Sequence, residues 1–186
     1  MEKTNIIREI FNETVEDYKR FLESYYPAHG SNGFTERNLT FNFCHQYLSF
    51  REKQNEKDII VWQEVPIANP EFPKRNNHFD SLIIDNGINT IFYIESKRIR
   101  STNHHKSLLD DLSRMQKCYK YIPEYEKFQS YEKFAILLTD IWTLSEKEDN
   151  RSNLKRQIET KSNNLFQEVY RGDNETYHIN YELHLL

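Results

Sequence analysis

The sequence contains three acid-x-lysine triplets: Asp17-Tyr18-Lys19, Glu95-Ser96-Lys97 and Glu159-Thr160-Lys161. A carboxylate two residues from an ammonium can hold a divalent cation beside a group that steadies a phosphoryl centre. The same spacing is also common in solvated surface pairs. The first and third triplets lie in stretches of helical period, where such pairs are ordinary. Only Glu95-Ser96-Lys97 ends a strand-like run, IFYI (Ile91 to Ile94).

A second acid belongs with it. Asp80 lies in HFDSLIID, the strand before Asn86-Gly87, and that dipeptide is a strong hairpin signal. Side chains alternate along a strand, so Glu95 and Lys97 share a face with Ile91 and Tyr93. A two-residue turn pairs Asp85 with Ile88 and sets Asp80 opposite Tyr93, diagonal to Glu95 at ~7 Å or less. A turn longer by two residues sets Asp80 directly opposite Glu95. Either register brings the two carboxylates together, and close carboxylates repel unless a cation lies between them. Mg²⁺ suits such a pair, because it takes one or two carboxylates plus waters and phosphate oxygens. A surface cluster in which Lys97 bridges Glu95 and Asp80 accounts for the same spacing.

The elements that must position these residues follow from hydrophobic period. Residues 4–26 read as an amphipathic helix, broken by PAHGSNG. A second helix begins after Thr35 as N-cap and runs to about Lys53, with Glu36 on the stripe of Leu39, Phe43, Tyr47 and Phe50. Strands follow at Asp58 to Ile67, His78 to Asp85 and Asn89 to Ile99. A helix then runs from His104 to Ile122, and YEKFAILLTDIW reads as a strand buried on both faces. Residues 152–170 read as an exposed helix and TYHINYELHLL as a closing strand. The expected fold is a single α/β domain over 1–186 with a mixed sheet. Its core spans about 35–142, with an extra N-terminal helix and a C-terminal helix-strand over 143–186.

Composition narrows the function classes. With 12 Tyr, 12 Phe and 2 Trp, large rings supply core volume, and 4 Gly with 5 Pro argue against a repeat or disordered chain. The two cysteines have no zinc spacing, no run reaches membrane-spanning length, and the first residues lack signal-peptide order, so the expected location is the reducing cytoplasm with no membrane partner. A net charge of −4 gives no global basic footprint for nucleic acid. The local run KRIRSTNHHK offers one: Arg98, Arg100, His104 and Lys106 stand beside the triplet as candidate phosphate contacts, or as a solvated loop and helix start.

The order αβββαβ, with Asp80 on the second strand and Glu95-x-Lys97 on the third, resembles the PD-(D/E)xK nuclease superfamily of restriction endonuclease-like and RecB-like enzymes. The resemblance covers roughly Thr35 to Trp142. The residue before Asp80 is Phe79 rather than Pro, and Gln116 is followed by Tyr119 and Tyr121 rather than by a Tyr at the fourth place. The resemblance implies a restriction endonuclease-like core and Mg²⁺-dependent phosphodiester hydrolysis, with Mn²⁺ able to substitute. Asp80, Glu95 and the Ser96 carbonyl would hold the metal, Lys97 would position or activate the attacking water, and Glu36 would support the metal or a second one. DNA is the expected substrate and RNA an alternative. Dimerisation or target choice falls to the N-terminal helix and C-terminal elements. A binding module that keeps the fold without catalysis is the other function class.

Overall fold

The computed structural model describes residues 3–25, 36–68, 78–100, 102–144, 150–162, 166–173 and 175–186. Helices α1 (Lys3–Tyr25) and α2 (Glu36–Lys53) precede strands β1 (Ile59–Pro66), β2 (His78–Asp85) and β3 (Thr90–Ile99). Helix α3 (Thr102–Cys118), β4 (Glu132–Leu144), α4 (Asn150–Ser162), β5 (Gln167–Arg171) and β6 (Glu175–Leu185) complete the chain. The Thr35 cap expected from the sequence lies outside the described residues.

The six strands form one mixed sheet in the order β1-β2-β3-β4-β6-β5, with only β3 and β4 parallel. A parallel pair needs a crossover, and α3 supplies it. Alternation along each strand divides the core. On one face α1 and α2 cover Ile83, Phe92, Ile94, Ile136, Leu138, Tyr177 and Ile179. On the other, α3 covers Leu82, Ile84, Ile91, Tyr93 and Leu137, while α4 packs Leu154 and Ile158 on Ile99 and Ile141. The result is a three-layer mixed α/β architecture. No helix among the described residues is long and apolar enough to cross a membrane.

The longer of the two candidate turns holds, and one expectation is corrected. The turn between β2 and β3 is four residues, Asn86 to Asn89, so Asp85 pairs with Thr90 rather than Ile88. Asn89 takes the left-handed conformation with φ 49°. A Cβ at Gly87 would lie 2.6 Å from Glu56 Oε2, the movable end of a part-exposed side chain. The helix expected over 152–170 ends at Ser162, and Gln167–Arg171 instead forms β5, hydrogen-bonded to β6. Val169 is buried against the α1 side of the sheet, so tertiary burial overrides the helical pattern there.

Candidate active site

The longer turn decides the register. Ser81 pairs with Ile94, which places Asp80 across from Glu95 where the β2–β3 ladder ends. Beyond that point the Ser96 N–H bonds to the Asp80 side chain, donating to Oδ2 at 2.8 Å, and the Ser96 hydroxyl lies 3.1 Å from the same oxygen. The β1–β2 ladder also skips this position: Gln63 pairs with Ser81 and Val65 with Phe79, while Glu64 between them has φ 53°. A non-glycine residue held there is strained, and such strain gathers where a sheet opens at a site. Glu64 itself contacts His78 at 2.8 Å and Arg37 at 3.6 Å.

The end of β3 threads between two helices, and alternation sorts its side chains. Glu95 and Lys97 face α3; Ser96 and Arg98 face α2. On the α3 side, Arg114 Nη2 donates to Glu95 Oε1 at 2.5 Å and to Asp111 Oδ1 at 3.2 Å, while its Nη1 donates to the His78 carbonyl at 2.8 Å. Asp111 Oδ2 lies 3.4 Å from Lys97 Nζ, an ion-pair contact. Asp111 therefore joins the two cations. On the α2 side, Glu36 Oε1 accepts the Arg98 backbone N–H at 2.8 Å, and the Ser96 hydroxyl lies 3.1 Å from the Glu36 carbonyl and 2.6 Å from Thr40 Oγ1. Glu36, Asp80, Glu95 and Lys97 thus converge on one strand end.

The electrostatics follow from burial. Glu95 is only 5% exposed, and its carboxyl titrates well above the usual range because burial disfavours its charge and Asp80 adds repulsion, with Arg114 only partly offsetting them. Burial also opposes the charge on Lys97, but Asp111, Glu36 and Glu95 outweigh it and raise its pKa. Those acids favour the ammonium form of Lys97.

The basic run divides. Arg98 is not a surface contact: it is buried, its Nη2 and Nε donating to Asp140 Oδ2 at 2.6 and 2.9 Å, while Tyr177 donates to the same oxygen at 2.8 Å. An even position on β3 points it at the α2 face, where Asp140 waits on the parallel neighbour β4. Arg100 and Lys106 are exposed, and the side chain of His104 lies outside those described. Asp111 and Arg114 were not among the candidate site residues that the spacing offered. The signal was an acid at position 111 inside the stripe of Leu108, Leu112 and Met115, where an unpaired charge is costly. Asp140 gave a similar signal within the apolar run of β4.

Asp80 and Glu95 lie close enough to repel, and two such carboxylates can serve a hard dication such as Mg²⁺ that takes its other ligands from water and substrate. Among the described residues no group of three His, Cys, Asp or Glu side chains is placed to hold a metal ion. No protein family, curated protein or solved structure matches the chain.

Proposed function

We propose that this chain is a metal-dependent nuclease with a restriction endonuclease-like core, hydrolysing phosphodiester bonds in DNA and acting as an endonuclease, with a role in defence against foreign DNA. The observation that carries the reading is the pairing that sets Asp80 across from buried Glu95, with Lys97 on the Glu95 face. Asp80, Glu95 and the Ser96 carbonyl are the residues to hold Mg²⁺ or Mn²⁺. When bound, the ion supplies charge for the attacking and leaving oxygens.

The chain's own residues do the rest. Lys97, beside Asp111, Glu36 and Glu95, places a positive charge next to the phosphate and positions or activates the attacking water. The Ser96 N–H fixes one oxygen of Asp80 and so orients the other. Glu36 is oriented by the Arg98 N–H at the mouth of the site. Arg100 and Lys106 serve as phosphate contacts. Cys44 and Cys118 are buried and outside any disulfide, in keeping with a reducing cytoplasm.

One observation favours a second reading. Glu95 with Arg114, and Lys97 with Asp111, form a self-satisfied ionic cluster, as a catalytically silent binding module would. Incubation with supercoiled, linear and single-stranded DNA and with RNA, in Mg²⁺, Mn²⁺ or EDTA, separates the two. The nuclease reading expects metal-dependent cleavage that falls by about 100-fold or more in Asp80→Ala and Lys97→Ala. Cleavage that survives both substitutions, or no cleavage of any substrate, sinks it.

A further inference from the structure

Arg114 places its guanidinium where a cation bound by Glu95 would place its charge. It lies 2.5 Å from Glu95 Oε1, is fastened by the His78 carbonyl and Asp111, and has its Cζ 5.9 Å from the centre of the Phe79 ring. The strand end gathers four acids, Glu36, Asp80, Glu95 and Asp111, with two cations among them, Lys97 and Arg114. A dication taken up by Glu95 would meet the guanidinium already seated on the same carboxylate, and two positive charges that close repel. Lys97 is held by Asp111 at 3.4 Å and has no ion pair to Glu95. Arg114 is the cation in direct contact, so it is the one displaced.

We propose that Arg114 is a built-in competitor of the divalent cation, holding Glu95 when the metal is absent and releasing it when the metal enters. The inference rests on the metal-site reading above and adds to it the residue that sets metal affinity. Mutually exclusive binding is reciprocal: whatever the Arg114–Glu95 pair contributes to the empty site is subtracted from metal affinity. Removing the guanidinium while keeping an apolar side chain at that position therefore tightens metal binding. A merely structural arginine would do the opposite, because its loss loosens the site and weakens binding.

The test is Mn²⁺ binding by calorimetry or by the signal of free Mn²⁺ in electron paramagnetic resonance, on the wild type, Arg114→Met, Glu95→Gln and Asp80→Ala. Arg114→Met is expected to bind Mn²⁺ about tenfold more tightly than the wild type, while the other two lose binding. Unchanged or weaker binding by folded Arg114→Met overturns the proposal. A second measurement needs no folded variant at that position. With arginine side chains labelled for NMR in the wild type, Mg²⁺ is expected to shift the Arg114 Nε–H signal and speed its exchange with water. Metal that binds through Asp80 and Glu95 while this signal stays unchanged overturns the competition and leaves the metal site standing. A wild type that binds no Mn²⁺ sinks both.

Discussion

His178 shows how one buried residue sets a pH dependence away from the candidate site. It lies on the α4 side of β6, its Nε2 3.1 Å from Thr143 Oγ1, with Lys155, Glu159, Glu168 and Arg171 as its charged neighbours. Burial, helped by Lys155, lowers its pKa to about 4, so the fold holds it neutral. The unfolded chain protonates it near its ordinary value of about 6.5 and so binds more protons between those limits. Its contribution is therefore complete above about pH 6.5 and is lost as pH falls toward 4. Denaturation of the wild type and His178→Gln across pH 7 to 4 checks this: the wild type is expected to lose stability more steeply. Parallel profiles would show that His178 does not titrate in this way.

At the scale of elements, the positions that matter are fixed by charges inside the fold. Arg51 near the end of α2 donates to Asp85 through Nε at 2.7 Å and Nη2 at 3.2 Å, and Tyr47 donates to the same carboxylate at 2.8 Å. Asp85 is fully buried and Arg51 nearly so, which ties α2 to the last residue of β2. Removing one partner strands the other charge, so Arg51→Met is expected to cost about 3–5 kcal/mol in chemical denaturation. Arg51→Met with Asp85→Leu is expected to recover much of that loss, and a double variant no better than the single one would show that the pair is not the cause. Because α2 also carries Glu36 and Thr40 to the Ser96 side of β3, this anchor sets one wall of the site. The opposite wall is α3, held by Leu108 and Met115 in the second core.

Across the whole molecule, α1 is part of the core rather than an addition to it. Ile6, Ile7, Ile10, Phe11, Val15, Tyr18 and Leu22 are all at most 2% exposed, packed on the sheet face they share with α2. Phe11 meets Tyr181 at 4.7 Å between ring centres, and Tyr18 stacks on Tyr177 at 6.0 Å. Burial of such side chains is worth about 1.5–3 kcal/mol each, so together they match or exceed the whole stability of an ordinary domain, about 5–15 kcal/mol. A chain lacking residues 1–35 is expected to show no cooperative unfolding transition by circular dichroism. A sharp transition in that truncated chain would make α1 dispensable. The apolar stripe of α1 is used within the chain, which removes that stripe as a dimerisation surface.

Several features were written in the sequence because they depend on local pattern. The period of α1 and α2, the β2–β3 hairpin and the alternation that separates Glu95 and Lys97 from Ser96 and Arg98 all follow from side-chain spacing along one element. Proximity of Asp80 to Glu95 was legible too, since both candidate turns gave it. Which register holds was not, because the turn is held from elsewhere in the chain: Asn86 bonds Asp58 and Tyr131, and the Asn89 carbonyl accepts the Glu132 N–H. The strand at Gln167–Arg171 was hidden for the same reason: its partner β6 and its cover α1 lie far away in sequence. Charge partners are the extreme case. Arg98 read as a surface cation until β4 brought Asp140 beside it, and nothing in the spacing of Arg114 pointed to Glu95 until α3 laid it there. Sequence spacing determines which way a side chain points, and only the packed sheet and helices decide what charge waits there.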